Sequence, residues 1–241
     1  MERKDGRKLD MIRPVKITPG FLSHPAGSVL MEMGGTRVLC AATFEPGVPP
    51  WMRAQNVSGG WLTCEYGLLP ASTHTRSSRE ASKGKQSGRT QEIQRLIGRS
   101  LRSIVDLEKL GPNTFHIDCD VIDADGGTRC ASITGACAAL ALACEKLLKE
   151  GVLEQSPMKE LAAAVSIGIK NGEFLLDLCY EEDSSADVDM NIVMTSSGRL
   201  IEVQGTAEEV PFSRADMNSM LDLAEKGLQE LFAVQKSVLG K

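Results

Sequence analysis

DVIDADGGTRCASITGACAALALACEKLLKEG, residues 120–151, decides the fold. A strand-like run ends at the Gly126-Gly127 turn. Thr128 and Arg129 then lead into a predicted helix over about 131–150, crowded with Ala, Gly, Ser and Cys. A glycine turn feeding a helix is the general build of an anion cradle, because backbone N–H groups and the positive end of the helix dipole converge there. The Lys that completes a P-loop is missing, and the glycine spacing does not match a dinucleotide fingerprint. The anion expected here is therefore not a nucleotide held in either of those ways.

Three hairpin signals surround this unit. Residues 28–44 turn at Gly34-Gly35, residues 161–180 at Asn171-Gly172, and residues 189–205 around Ser196–Gly198. Ile93, Leu96, Ile97, Leu101, Ile104 and Val105 share one face of a helix predicted near 90–109. A last helix is predicted after Ser213, an N-cap with Asp216 at the third helical position, running to about Val238. The order is hairpin, long loop, helix, strand, helix, hairpin, hairpin, helix. Helices and strands mix without strict alternation, which gives an α/β protein of the α+β sandwich type rather than a doubly wound sheet. No linker or low-complexity segment interrupts the chain, so residues 1–241 are expected to form a single domain. Residues 45–88, with prolines at 46, 49, 50 and 70, read as a long structureless segment, a kind that is usually functional or disordered. It carries Trp51, Trp61 and Tyr66, which argues against disorder.

The composition, 42% hydrophobic and 24% charged, is that of a globular protein. The longest apolar run, about Ala136–Cys144, is too short to cross a bilayer, and the charged start MERKDGRKLD is no signal peptide, so a cytoplasmic protein with no membrane partner is expected. Seven cysteines without a CxxC pair exclude a disulfide framework or zinc site. Cys130, Cys137 and Cys144 are read as small buried apolar residues. The net charge of -5 hides an asymmetry. Between His74 and Arg102 lie Arg76, Arg79, Lys83, Lys85, Arg89, Arg95, Arg99 and Arg102 against only Glu80 and Glu92. Between Glu173 and Glu209 the balance reverses, with Arg199 the lone base. One basic segment on an acidic protein suits local binding of a polyanion.

Arg95, Arg99 and Arg102 lie opposite the apolar stripe of their helix, as a solvated face would. Arg89, in GKQSGRTQE, sits instead at a helix start, where a cation opposes the dipole unless an anion is bound. Thr128-Arg129 repeats that arrangement, so two helix starts could converge on one phosphate-sized anion; the bland alternative is a structural ion pair of Arg129 with Asp123 or Asp125. Asp183, Asp187 and Asp189 crowd EEDSSADVDMNIV, and such carboxylates repel unless a cation such as Mg²⁺ or Mn²⁺ intervenes or the segment is a loose acidic turn. His24, His74 and His116 have no metal or triad spacing, and no nucleophile motif occurs. Together these features describe phosphoryl transfer on a polyanion.

At EYGLLPASTHTRSSREASKGKQSGRTQEIQRLIGRSLR (65–102), DCDVIDADGGTRCASITGA (118–136), DMNIVMTSSGRLIEVQGTAE (189–208) and RKDGRKLDMIRP (3–14), the chain resembles the ribonuclease PH family over essentially its whole length. The resemblance implies the RNase PH-like fold, assembled as a homo-oligomeric, hexameric ring built from dimers. It implies a tRNA nucleotidyltransferase, a phosphorolytic 3′→5′ exoribonuclease that uses inorganic phosphate to trim RNA with a single-stranded 3′ end. Such trimming, notably of tRNA precursors and also in rRNA processing, releases nucleoside diphosphates. It places phosphate on Arg89, Gly127, Thr128 and Arg129, and Mg²⁺ or Mn²⁺ on Asp183 and Asp189, with Asp187 as a third ligand. Asp183, Asp189 and Arg129 would be catalytic, and Arg76, Arg79 and Arg7 would bind RNA, with Arg3 and Lys4 beside them. Where the family usually reads Leu-Pro-Arg, this chain has Ala71, which would shift the RNA grip toward Arg76 and Arg79. The alternative is a non-catalytic RNA-binding ring subunit of an exosome-like assembly, which would have lost these arginines or aspartates.

Overall fold

The structure, a computed structural model, describes residues 3–208 and 210–240; Glu209, counted among the acids above, lies outside them. A five-stranded sheet is ordered β1 (Val15–Pro19), β2 (Gly27–Met33), β3 (Thr36–Pro46), β5 (Asn113–Asp123) and β4 (Trp61–Leu68). All its pairs are antiparallel except β4 with β5, which run parallel. A four-stranded antiparallel sheet is ordered β7 (Glu173–Leu176), β6 (Ala162–Lys170), β8 (Val188–Thr195) and β9 (Leu200–Ala207). The hairpins turn where their glycines allow a left-handed backbone, as at Gly34 (φ 58) and Gly172 (φ 77).

Helix α4 (Thr128–Lys149) joins the two sheets, touching β2, β3 and β5 of the first and β6 of the second. Its small residues explain the packing. A Cβ on Gly135 would meet Cys40 Sγ and Met31 Cβ at 2.8 Å, so the helix seats directly on β2 and β3. Cys130, Cys137 and Cys144 are buried as expected, and burial pushes each thiol well up, leaving them inert. Measured as a helix rather than as a run of letters, α4 is long and apolar enough to cross a membrane. It is instead a core helix, with 78% of that apolar window buried in the fold. One apolar cluster runs through both sheets, from Val29 and Phe115 to Val165, Ile192 and Phe232.

Helix α6 (Arg214–Val238) packs on β6, β7 and β1. It starts where the sequence placed it. The Ser213 hydroxyl accepts from the Asp216 N–H (3.1 Å), and the Asp216 carboxylate accepts from the Ser213 N–H (2.8 Å), a complete capping box. Ser213→Ala is expected to cost about 1 kcal/mol of unfolding free energy, read from urea melts, because one helix donor loses its acceptor.

The segment 45–88 departs from expectation. It holds β4 and the short helices α1 (Pro50–Ala54) and α2 (Glu80–Lys83). Leu62, Cys64 and Tyr66 alternate inward along β4, while Trp51 and Trp61 meet edge to face at 5.1 Å. Arg102 lies 5.0 Å over the Trp61 ring, so it packs rather than merely solvates. Helix α3 (Gly88–Ser103) ends earlier than its apolar stripe, because Val105 leaves the helix to bridge Met158. The remaining short helix, α5 (Tyr180–Asp183), follows β7.

The N-terminal segment is pinned by buried charge. Arg3 donates to Glu182 through Nε (2.8 Å) and Nη2 (2.6 Å). Arg13 donates to Asp177 through Nε (2.9 Å) and Nη2 (2.6 Å), and its Nη1 also reaches the Asp125 carbonyl. These forks tie residues 3–13 to the loop after β7 and to the Gly126-Gly127 turn.

Candidate active site

The Gly126-Gly127 turn works as the sequence suggested, with both residues left-handed (φ 72 and 63). A Cβ on Gly126 would run into the Cys179–Tyr180 backbone (2.7–2.8 Å), so only glycine lets the turn lie against α5. Gly127 is the N-cap of α4 and supplies no side-chain acceptor, which leaves the first N–H groups of this long helix available to an anion. Helix α3 differs. Its Ser87 caps the Thr90 N–H (3.1 Å), and Glu80 accepts from the Ser87 N–H (3.0 Å) and the Thr90 hydroxyl (2.8 Å). The start of α3 is thus partly satisfied within the chain, at Thr90. What it brings to the cleft is the Arg89 side chain.

Arg89, Gly126, Gly127, Thr128 and Asp183 line one cleft of about 490 Å³, together with Tyr66, His74 and Tyr180. The two predicted helix starts therefore do converge. Thr128 shares a hydrogen bond with the buried Tyr66 hydroxyl (2.9 Å). Burial pushes that phenol up, and the Thr128 contact and the nearby positive charges of Arg89 and Arg129 pull it part of the way back.

Arg129 is aimed by a clamp the sequence reading did not identify. Its Nη1 donates to Gln204 Oε1 (2.5 Å) on β9 and to Glu92 Oε1 (3.2 Å) on α3, and Gln204 Nε2 donates to the same Glu92 oxygen (3.2 Å). The ion pair contemplated with Asp123 or Asp125 does not form: Asp123 pairs with Arg37, and Asp125 with Arg13. Among the described residues no acceptor takes Arg129 Nε or Nη2. A fork with one nitrogen fixed and its remaining donors open is suited to an oxyanion.

The carboxylates divide. Burial raises Asp183 above the usual carboxylate range despite Arg89, Arg129 and Arg13. Asp189, on β8, is pushed up to about 6 by burial first, then by Asp183 and Glu208. Its Oδ1 is buried without a hydrogen-bond partner. Asp187 does not join them. It lies just before β8, and its Oδ2 accepts from the Asn171 N–H (2.8 Å), so it closes the β6–β7 turn. No group of three or more His, Cys, Asp or Glu placed to hold a metal occurs among the described residues.

The basic segment divides too. Arg76 and Arg79 are exposed, as is Ala71, and Arg79 and Lys85 line a second cavity of about 720 Å³ behind Tyr66. Arg7 turns inward, its side chain 8% exposed, donating to Asp5 Oδ2 (2.5 Å) and the Asp177 carbonyl (3.2 Å). Arg3 is likewise consumed by Glu182. The RNA-contact expectation for these two meets residues already committed to the fold. Lys4 alone of the three stays exposed, paired with Glu181.

The 3′ exoribonuclease family matches in both of its parts, domain 1 over residues 11–144 and domain 2 over residues 160–227. Ribonuclease PH of Syntrophomonas wolfei is 57% identical over 240 residues, covering all of both chains. Ribonuclease PH of Bacillus subtilis is 58% identical over 239 residues, covering 99% of this chain and 97% of that one. Among solved structures, rice (Oryza sativa) Rrp46 aligns with a TM-score of 0.80 at 22% identity, over 98% of this chain and all of that one. An Archaeoglobus fulgidus exosome with RNA bound to the active site aligns at 0.81 and 24%, over 96% and 92%. The two structural likenesses establish the fold as RNase PH-like. The full-length identities go further and leave the silent-subunit alternative the less supported reading: the chain belongs to the 3′ exoribonuclease family, as a phosphate-dependent exoribonuclease of the ribonuclease PH type.

Proposed function

We propose that Arg89, Thr128, Arg129 and the open N–H groups after Gly127 hold the attacking inorganic phosphate. The observation that carries this reading is the convergence of Arg89 and the uncapped start of α4 on the cleft that also holds Asp183. A phosphate oxygen forms a bond to the phosphorus of the last RNA linkage, the bond from that phosphorus to the preceding O3′ breaks, a nucleoside diphosphate leaves, and the shortened RNA departs with a 3′ hydroxyl whose proton balances the one lost by the attacking hydrogen phosphate. Two guanidinium groups offset charge on the incoming and transferring groups, so positioning and electrostatics do most of the work.

The residues fit a divalent cation. Asp183 and Asp189 repel each other, and Asp189 Oδ1 has no partner within the chain. Mg²⁺ is commonly held by one or two carboxylates plus substrate phosphates rather than by an all-protein cage, so a two-aspartate set is sufficient. Mg²⁺ or Mn²⁺ on Asp183 and Asp189 would supply charge neutralisation to the transferring phosphoryl group. Arg76 and Arg79 lie free to meet the RNA backbone. The substrate would be the single-stranded 3′ end of tRNA precursors, and of rRNA, handled in the cytoplasm by a hexameric ring of dimers. The ring reading is supported by the RNase PH-like fold shared with exosome subunits.

Incubating the protein with a 3′-extended RNA, with and without phosphate, tests the chemistry. Nucleoside diphosphates formed only with phosphate are expected. Monophosphates released equally well without it would mean hydrolysis and remove the role of the arginine cage; no product at all would restore the silent-subunit alternative.

A further inference from the structure

The cleft has an aromatic wall that the phosphate chemistry does not use. Tyr180 is 48% exposed, large for an aromatic side chain that nothing in the fold requires on the surface. Its ring meets the exposed His74 ring at 5.4 Å between centroids, tilted by 54°. Both residues line the same cleft as Arg89, Gly127 and Thr128. They arrive from opposite sides, His74 on the loop after β4 and Tyr180 as the first residue of α5.

Tyr180 is also held in fixed relation to the phosphate cage. Its N–H donates to Asp125 Oδ1 (3.2 Å), and the Gly126 backbone lies too close to Cys179 and Tyr180 to admit even a Cβ. The turn that presents Thr128 and the α4 start therefore also sets the position of the Tyr180 backbone. A rigid cage for the attacking phosphate needs a rigid stop for the nucleotide being attacked, because in-line displacement tolerates little misplacement.

The geometry points to a nucleobase subsite in which Tyr180, braced by His74, stacks on the base of the 3′-terminal nucleotide. The inference rests on the phosphate cage proposed at Arg89, Thr128 and Arg129. Aromatic stacking is sequence-tolerant, since every base has a π-face, and so suits an enzyme that removes whatever nucleotide is last. The wall carries no side-chain amide that would read a base edge: Tyr180 and His74 are flanked by Thr73, Thr75 and Ser77.

The test compares two RNAs that differ only in whether the terminal residue carries a base or is abasic. Tyr180→Ala is expected to lower kcat/KM roughly tenfold on the base-bearing RNA and to have little effect on the abasic one, with the KM for phosphate unchanged. Tyr180→Phe should retain most of the activity, and His74→Ala should show a smaller loss confined to the base-bearing RNA. Equal losses for Tyr180→Ala on both RNAs would overturn the subsite, as would a Phe variant as poor as the Ala variant. A readout independent of turnover uses the unmodified protein without phosphate and an RNA ending in 2-aminopurine. Its fluorescence should be quenched on binding by stacking, and unchanged fluorescence would refute the proposal even if Tyr180→Ala failed to fold. Arg129→Ala serves as the control for the cage: an unchanged phosphate KM there would move the cage, a failure separate from that of the aromatic wall.

Discussion

Arg129→Ala is expected to raise the KM for phosphate roughly 30- to 100-fold while changing RNA affinity by no more than about threefold. The size follows from removing charge-assisted hydrogen bonds, each worth about 1.5–3 kcal/mol when the anion is desolvated. The selectivity follows from placement. Arg129 lies near enough to Asp183 and Asp189 for its charge to lower both carboxyls, and Glu92 and Gln204 fix its Nη1, whereas Arg76 and Arg79 are exposed on the basic loop. Arg129→Lys should fall between, since it keeps the charge and loses the planar fork. Glu92→Ala should move phosphate KM in the same direction by about fivefold, because it removes one of the two acceptors that fix Nη1 and the acceptor that orients Gln204, while Gln204 Oε1 can still accept from Nη1. Steady-state kinetics with phosphate and RNA varied separately reads all three. Equal loss of phosphate and RNA affinity in Arg129→Ala would show that the side chain serves the fold or the RNA instead.

Much of this site is legible in the sequence, and the reason is local geometry. A Gly-Gly turn running into a helix, and an arginine at a second helix start, are signals carried by adjacent residues. Three hairpins announced themselves through Gly and Asn at their turns, and Ser213 and Asp216 through the spacing of a capping box. What escaped was written in long-range pairing. Strand β4 has plain alternation at Leu62, Cys64 and Tyr66, but the surrounding prolines and glycines hid it until β5 supplied a parallel partner. The Glu92–Gln204 clamp joins residues 112 apart in sequence, and nothing local to either marks it. Arg7 and Asp187 have intrachain partners that the sequence did not show, for a related reason. Each lies in a charged stretch that looks solvated or metal-facing, yet each has a fixed intrachain partner, Asp5 and the Asp177 carbonyl for Arg7 and the Asn171 N–H for Asp187. Charge clusters give the likelihood of a field; only the fold says which members are already spent.

Asp189→Asn is expected to abolish turnover, lowering kcat about a thousandfold, and at the same time to make the metal-free protein more stable near pH 7.5. The first effect reflects loss of a carboxylate proposed to hold the divalent cation, a contribution worth several kcal/mol. The second follows from the cost of the charge. The unfolded chain gives up the Asp189 proton near 3.8, whereas the folded chain keeps it to about 6, mainly because of burial and then Asp183. A raised carboxylate pKa means the folded state binds the proton more tightly, so the charge costs nothing below about pH 4, costs progressively more between there and about 6, and costs in full above. The shift corresponds to on the order of 2 kcal/mol once the solvent at the cleft is allowed for. Asn removes the charge and keeps the shape, so its stability advantage should be present at pH 7.5 and shrink toward pH 5. Mg²⁺ should raise the unfolding midpoint of the unsubstituted protein and leave Asp189→Asn nearly unmoved, since ligand binding to the native state stabilises it only where the site exists. Urea melts at the two pH values, with and without Mg²⁺, decide the matter. A less stable Asp189→Asn at pH 7.5 would mean that the carboxylate is satisfied by the fold itself. If it is not, Asp189 marks the place where this fold gives up stability to hold charge against phosphate.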